Sequence, residues 1–206
     1  MPQNQTSRAL ERSTRMRHAW LAALLVTSSL TAQESSLNVR TASDSEGERA
    51  TQQQLYRLLQ EHDVSEWLYT RDVIIDQTKI PHSHPVLTLH TRHLNDDLGL
   101  LSTFIHEQFH WLVDEQEDKE AAAIAAFRDV FPGAPGREGG GARDPYSSYL
   151  HLIVCDLEFQ GMTLLLGEDV AREVLGSITH YEWVYERVLN DPRVRETNER
   201  FGFVLR

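Results

Sequence analysis

The sequence predicts an α+β fold that is mostly α, in which a small β-sheet or hairpin packs on one motif-bearing helix and a helical C-terminal part follows. Three observations predict it. Two short β-branched runs lie close together before residue 92, apolar residues recur at helical spacing through most of the chain after it, and capping or breaking residues punctuate those helical runs. The chain has 206 residues, 40% hydrophobic and 25% charged, which suits one core and a single domain.

Residues 1–32 read differently from the rest. Arg8, Arg12, Arg15 and Arg17 precede AWLAALLVTSSL, an apolar run too short to span a bilayer comfortably, and the run leaves through TAQ. A basic leader, a short apolar centre and a small-residue exit predict a secretory signal peptide, hence a secreted or periplasmic product with no stable membrane insertion after cleavage. Met16 would start a more compact version of the same signal. The formal net charge is −11, and cleavage would remove four basic residues and one acidic one, leaving −14. So acidic a chain argues against a nucleic-acid partner, because phosphate binding wants a basic face. The single cysteine, Cys155, excludes an intramolecular disulfide framework.

From 33 to 48 the chain is polar and Ser-rich and reads as a flexible linker, leaving 49–206 as the one folded domain. Ser45 to Glu48 reads as a capping box opening a helix through LYRLLQEH, with Leu55, Leu58, Leu59 and His62 on its buried face. Asp72–Asp76 and Val86–Thr91 have strand composition, and the two prolines of KIPHSHP between them predict a hairpin or a looser strand pair. Asn95, Asp96 and Asp97 offer N-caps for the next helix, and EDKEAAAIAAFRDVF forms another that stops at Pro132. The Gly- and Pro-rich stretch 132–145 predicts a mobile surface loop or a linker between helical halves. Ser147 or Ser148 then caps a long helix ending at Gly167, and GEDVAREVLG and SITHYEWVYERVLND give two more.

The helix after Asp97 carries STFIHEQFHWLV, residues 102–113. His106 and His110 project from one helix face about 6 Å apart along the axis, so two imidazoles can converge on one tetrahedral zinc ion. Glu107 lies about 100° from His106 and about 60° from His110 around the axis, so its carboxylate can reach a water on the metal without ligating the metal. Zinc lowers the pKa of that water toward about 7, and the carboxylate can take its proton during attack on a carbonyl. His-Glu-x-x-His on a helix is that arrangement. Framed by the uncharged Thr103, Phe104, Gln108, Phe109, Trp111 and Leu112, the stretch resembles the zincin superfamily of zinc metallopeptidases. The resemblance rests on this helix and identifies a site type rather than a subfamily.

A catalytic zinc site needs a third protein ligand and an open position. The metzincin extension is absent, since Val113 holds the position of its glycine and Gln116 that of its histidine. In gluzincins the third ligand is a glutamate on a later helix, and that resemblance points to Glu158, in HLIVCDLEFQ. The helix around it is otherwise strongly apolar, and a carboxylate buried there needs a cation or a metal. His151, Cys155 and Glu158 share one stripe but span about 10 Å, too far for all three to bind one ion. His151, Cys155, Glu115, Glu117, Glu120 and Asp156 therefore stay open as alternatives, with His151 otherwise lining the substrate cleft.

The same resemblance implies an oxyanion donor from a later segment, for which His180 and Tyr181 are the candidates. Tyr181, Val184, Tyr185 and Val188 equally make an ordinary apolar stripe. In zincins the strand before the motif helix commonly pairs with an extended substrate. Thr88 and His90 would take that role, in preference to a second metal site among His82, His84, His90 and His93. The expectation is an exported zinc-dependent metallopeptidase acting on a peptide or protein substrate. His106, His110 and Glu158 would ligate zinc, and Glu107 would be general base and then proton donor. The alternative is a non-catalytic exported domain that uses the same site for a structural zinc or a partner.

Overall fold

The chain enters the described region, residues 37–205 of a computed structural model, as a strand, and the expected signal peptide lies outside that region. Strand β1 (Asn38–Thr41) falls inside the stretch read as linker; it has four residues and buries only Val39, so its polar composition concealed it. Ser45 then caps α1 (Glu46–Glu61) as expected: its hydroxyl accepts from the Glu48 N–H while the Glu48 side chain returns to the Ser45 N–H. Helix α1 leads to β2 (Asp72–Ile75), which pairs parallel with β1, and β3 (Leu87–Leu89) pairs parallel with β2 on the other side.

Of the expected hairpin or looser strand pair, the second is found: β2 and β3 pair parallel within a three-stranded sheet. The reversal does occur where the prolines predict a turn, but it folds His82, and not β2, back onto Thr88 as a single antiparallel bridge. Strand patterns identify the partners' faces; they do not say which neighbour each edge meets.

Asp96 caps α2 (Asp97–Asp114) by accepting from the Gly99 N–H, and α3 (Glu117–Val130) follows. Helix α4 (Pro145–Leu166) begins earlier than the serines suggested. Asp144 caps it, and Pro145 occupies the first position, where a missing N–H costs nothing. Ser148 instead binds the preceding loop, donating to the Pro135 carbonyl at 2.6 Å and accepting from the Ala142 N–H at 2.8 Å. The 132–145 stretch is thus fastened to α4, and the Gly140 carbonyl accepts from the Trp183 N–H, so it is a fitted wall and not a loose link. A Cβ on Gly141 would collide with the Pro135 carbonyl, which is why the chain needs glycine there. Helices α5 (Glu168–Gly176), α6 (Glu182–Asn190) and α7 (Pro192–Phe201) complete the described chain.

Helix α2 lies between α1 and the sheet on one side and the helical part on the other, where α4 is central and touches α2, α3, α5, α6 and α7. Length and apolarity would let α4 cross a membrane, but 72% of its apolar window is buried by these neighbours. At Gly161 the two central helices approach closely: an added Cβ would sit 3.2 Å from Ile105 and 3.3 Å from Phe109. The buried Asp156 of α4 fastens α7 by accepting from Arg195 at 2.8 Å and Asn198 at 2.9 Å. The result is the expected α+β class, mostly α.

Candidate metal centre

Successive turns of α2 face successive turns of α4, and this register builds the site. His106 and His110 on α2 and His151 on α4 bring three imidazole rings together, with centroids 5.1, 5.1 and 5.6 Å apart. Their ligand-capable nitrogens all lie within 4.8 Å of one another, so the three residues could hold a metal ion. Two of the rings are oriented from behind. His106 Nδ1 lies 2.9 Å from a Glu158 oxygen, and His151 Nδ1 lies 2.6 Å from the Ser147 carbonyl. Each bond occupies Nδ1 and leaves Nε2 for an ion, the arrangement by which outer partners fix the tautomer of ligating histidines.

The electrostatics divide the three rings. Burial, then the positive charge of His106, keep His110 well below an ordinary histidine. The same two causes push His151 down to about 3. Both are neutral imidazoles, the form that binds metals. For His106 burial acts in the same direction, but the Glu158 carboxylate outweighs it and raises the ring well above 6.5.

Glu158 does not join the group that contains both motif histidines. Its carboxylate, 1% exposed, accepts from the Ser102 hydroxyl, from His106 and from the Tyr185 hydroxyl at 2.8 Å. A second possible group, His106, Cys155 and Glu158, lacks His110, and burial pushes the Cys155 thiol up, away from the thiolate a metal needs. Stripe spacing on α4 correctly limited how many of its residues reach one point. The register against α2, which spacing does not contain, sets His151 and not Glu158 beside His110.

Glu107, 6% exposed, adjoins the group, and burial pushes its carboxyl up to about 7. A cleft of about 1260 Å³ opens on His106, Glu107 and Glu158. The Arg137–Gly141 loop and residues 177–182 line its other walls. His180 and Tyr181 both border the cleft just before α6, and Tyr181 also packs against the core with Val184, Tyr185 and Val188. Tyr181 sits in the left-handed region at φ 57° just before α6, its carbonyl accepting from the Val184 and Tyr185 N–H groups. That turn points its ring at His151, 4.4 Å between centroids.

The expected substrate edge is corrected. The Thr88 N–H and carbonyl, which face away from β2, are both bonded to His82 at 2.8 and 3.1 Å, and the residue is buried. An extended peptide cannot pair where the chain has already paired with itself. His90 accepts from the Arg92 N–H and does not line the cleft. Among the described residues, no group of three metal-capable side chains includes His82, His84, His90 or His93. Sequence reasoning missed Ser102 and Tyr185. Ser102 was findable, one turn before His106 on the same face; Tyr185 was hidden in an apolar stripe.

Comparison of the chain with protein-family models, with curated proteins and with solved structures returned no match.

Proposed function

We propose that the protein is an exported metal-dependent peptidase whose zinc ligands are His106, His110 and His151. The observation that carries the reading is the convergence of three imidazoles, His106 and His151 buried and anchored through Nδ1 and His110 half-buried, with His106 and the buried Glu107 lining one cleft. A zinc ion held by three histidines and one open position supplies Lewis acidity, polarising a carbonyl and acidifying water.

The chain's own residues supply the remainder. Glu107, poised near neutrality by burial, accepts a proton from the attacking water and returns it to the departing amine nitrogen. Glu158 holds His106 in the tautomer that presents Nε2, with Ser102 and Tyr185 fixing the carboxylate in turn. Tyr181 lines the cleft, its hydroxyl has no partner among the described residues, and it would donate to the oxygen that gains charge. A structural site would close with a fourth ligand; here His106 opens on a cleft beside Glu107, a carboxylate that such a site does not need.

The test is metal content by plasma mass spectrometry, together with cleavage of an unbiased peptide library. The proteins are wild type and Glu107→Gln, purified in excess zinc. We expect about one zinc per chain in both and cleavage reduced on the order of 10²- to 10⁴-fold in Glu107→Gln. Absence of metal, or equal cleavage by the two proteins, overturns the reading.

A further inference from the structure

Several arginines among the described residues are already paired. Arg49, Arg57, Arg143, Arg172, Arg187, Arg193 and Arg195 each lie within ion-pair distance of an Asp or Glu. Arg92, on the cleft wall just before α2, is different. Its Nε donates to His93 Nε2 at 3.2 Å, and His93 Nδ1 donates to Asp96 Oδ2 at 2.9 Å. The other oxygen of Asp96 caps α2 by accepting from the Gly99 N–H at 3.0 Å. These bonds are mutually consistent only with the Nδ1–H tautomer of His93.

The sequence leaves room for this chain of contacts. A Cβ on Gly99 would overlap both the Asp96 carboxylate and the His93 ring. Glycine inside a helix costs about 1 kcal/mol relative to alanine, and here that space is filled by the Asp96–His93 bond. The guanidinium is therefore held by its Nε edge, anchored through His93 and Asp96 to the start of α2. Its two terminal nitrogens have no carboxylate in ion-pair contact among the described residues, although the cleft also bears Glu138, Glu173 and Glu182. Terminal guanidinium nitrogens match a carboxylate bidentately. Arg137, which also lines the cleft, likewise has no carboxylate in ion-pair contact among the described residues.

We propose that Arg92, held by His93 and Asp96 and sharing the cleft with Arg137, is the receptor for a carboxylate of the peptide substrate. The carboxylate is either the C-terminus or an acidic side chain, since both present the same two oxygens. This rests on reading the cleft as a peptide-hydrolysing site.

The experiment measures binding and not turnover. Zinc-loaded Glu107→Gln protein is titrated with one labelled peptide in three forms: free C-terminus, C-terminal amide, and amide with one Gln replaced by Glu. At least one acid-bearing form is expected to bind about 10-fold more tightly than the neutral amide, which is about 1.4 kcal/mol. Which form gains identifies the source of the carboxylate. The advantage should shrink as salt rises and vanish in Arg92→Gln. Gly99→Ala should reduce it partway, because the guanidinium remains but loses its anchor; circular dichroism and metal content confirm that the variants fold and stay loaded. Equal binding of all three forms, no binding of any, or a preference that survives Arg92→Gln overturns the proposal. If wild type cleaves peptides without any anion preference, the receptor fails and the peptidase stands. Arg92-dependent carboxylate binding without any cleavage sinks the peptidase and leaves the receptor.

Discussion

Two sets of histidines contrast in this molecule. Four fall within twelve residues, His82 to His93, while His106, His110 and His151 spread over forty-six. The dense set is dispersed among separate tasks. His84 stacks on Trp111, 3.9 Å between ring centroids, and pairs with Asp114 at 3.3 Å, while His90 and His93 hold the backbone and side chain of Arg92. The sparse set converges. What separates them is the surroundings: burial that keeps His110 and His151 neutral, and acceptors behind Nδ1 of His106 and His151. Local density of a ligand type says little; a ligand set is defined by what stands behind each ring.

The largest expected effect breaks that contrast directly. His151→Ala should lower zinc affinity on the order of 10³-fold or more, beyond the 10- to 100-fold that outer partners typically cost. His82→Ala should leave zinc content unchanged. Competition with a chromogenic chelator reads both, and equal losses in the two variants would erase the distinction. Glu158→Gln comes next. As an anchor of His106, it should cost about 10- to 100-fold in affinity while one zinc per chain still binds at saturation. A Glu158 variant as damaged as His151→Ala would return the carboxylate to the ligand set.

Two buried glutamates sharpen the comparison in another way. Glu107 meets no hydrogen-bond donor among the described residues and burial raises it to about 7. Glu48 is fully buried too, and burial alone would raise it. The Ser43, Ser45 and Gln77 N–H groups and the Ser43 hydroxyl outweigh that and hold it below 4.5. A carboxyl lowered in the folded state stabilises fully above its unfolded value and loses that contribution as pH falls through its folded value. Wild type should therefore lose stability below about pH 4.5 more steeply than Glu48→Gln does. Urea midpoints between pH 6 and pH 3 measure it, and parallel curves would refute it. The smallest effect belongs to His84→Ala. Its exposed pair with Asp114 should be worth at most about 1 kcal/mol, seen as a small shift in the urea midpoint with zinc binding untouched.

Much of the molecule was legible along the chain because the governing interactions are local. The Ser45–Glu48 capping box, the Asp96 cap and the termination of α4 at Gly167 each depend on residues within a turn of one another. The pairing of His106 with His110, and the nearness of Glu107, follow from 3.6 residues per turn alone. Strand β1 and the parallel sheet were not legible, since a four-residue polar strand carries little pattern and its direction depends on a neighbour thirty residues away.

The sequence by itself determined the mostly helical class, the helix that carries the motif, and the stripe of α4 from which a third ligand could come. Only the tertiary structure decided which member of that stripe meets His110, because the register between two packed helices is set by close contacts such as the one at Gly161. It likewise decided that His82 fills the edge of β3, and that Arg92 is held through its Nε by His93. Helical periodicity fixes angles about one axis, whereas a site is a meeting of several axes, and their relative placement is a property of the packed core.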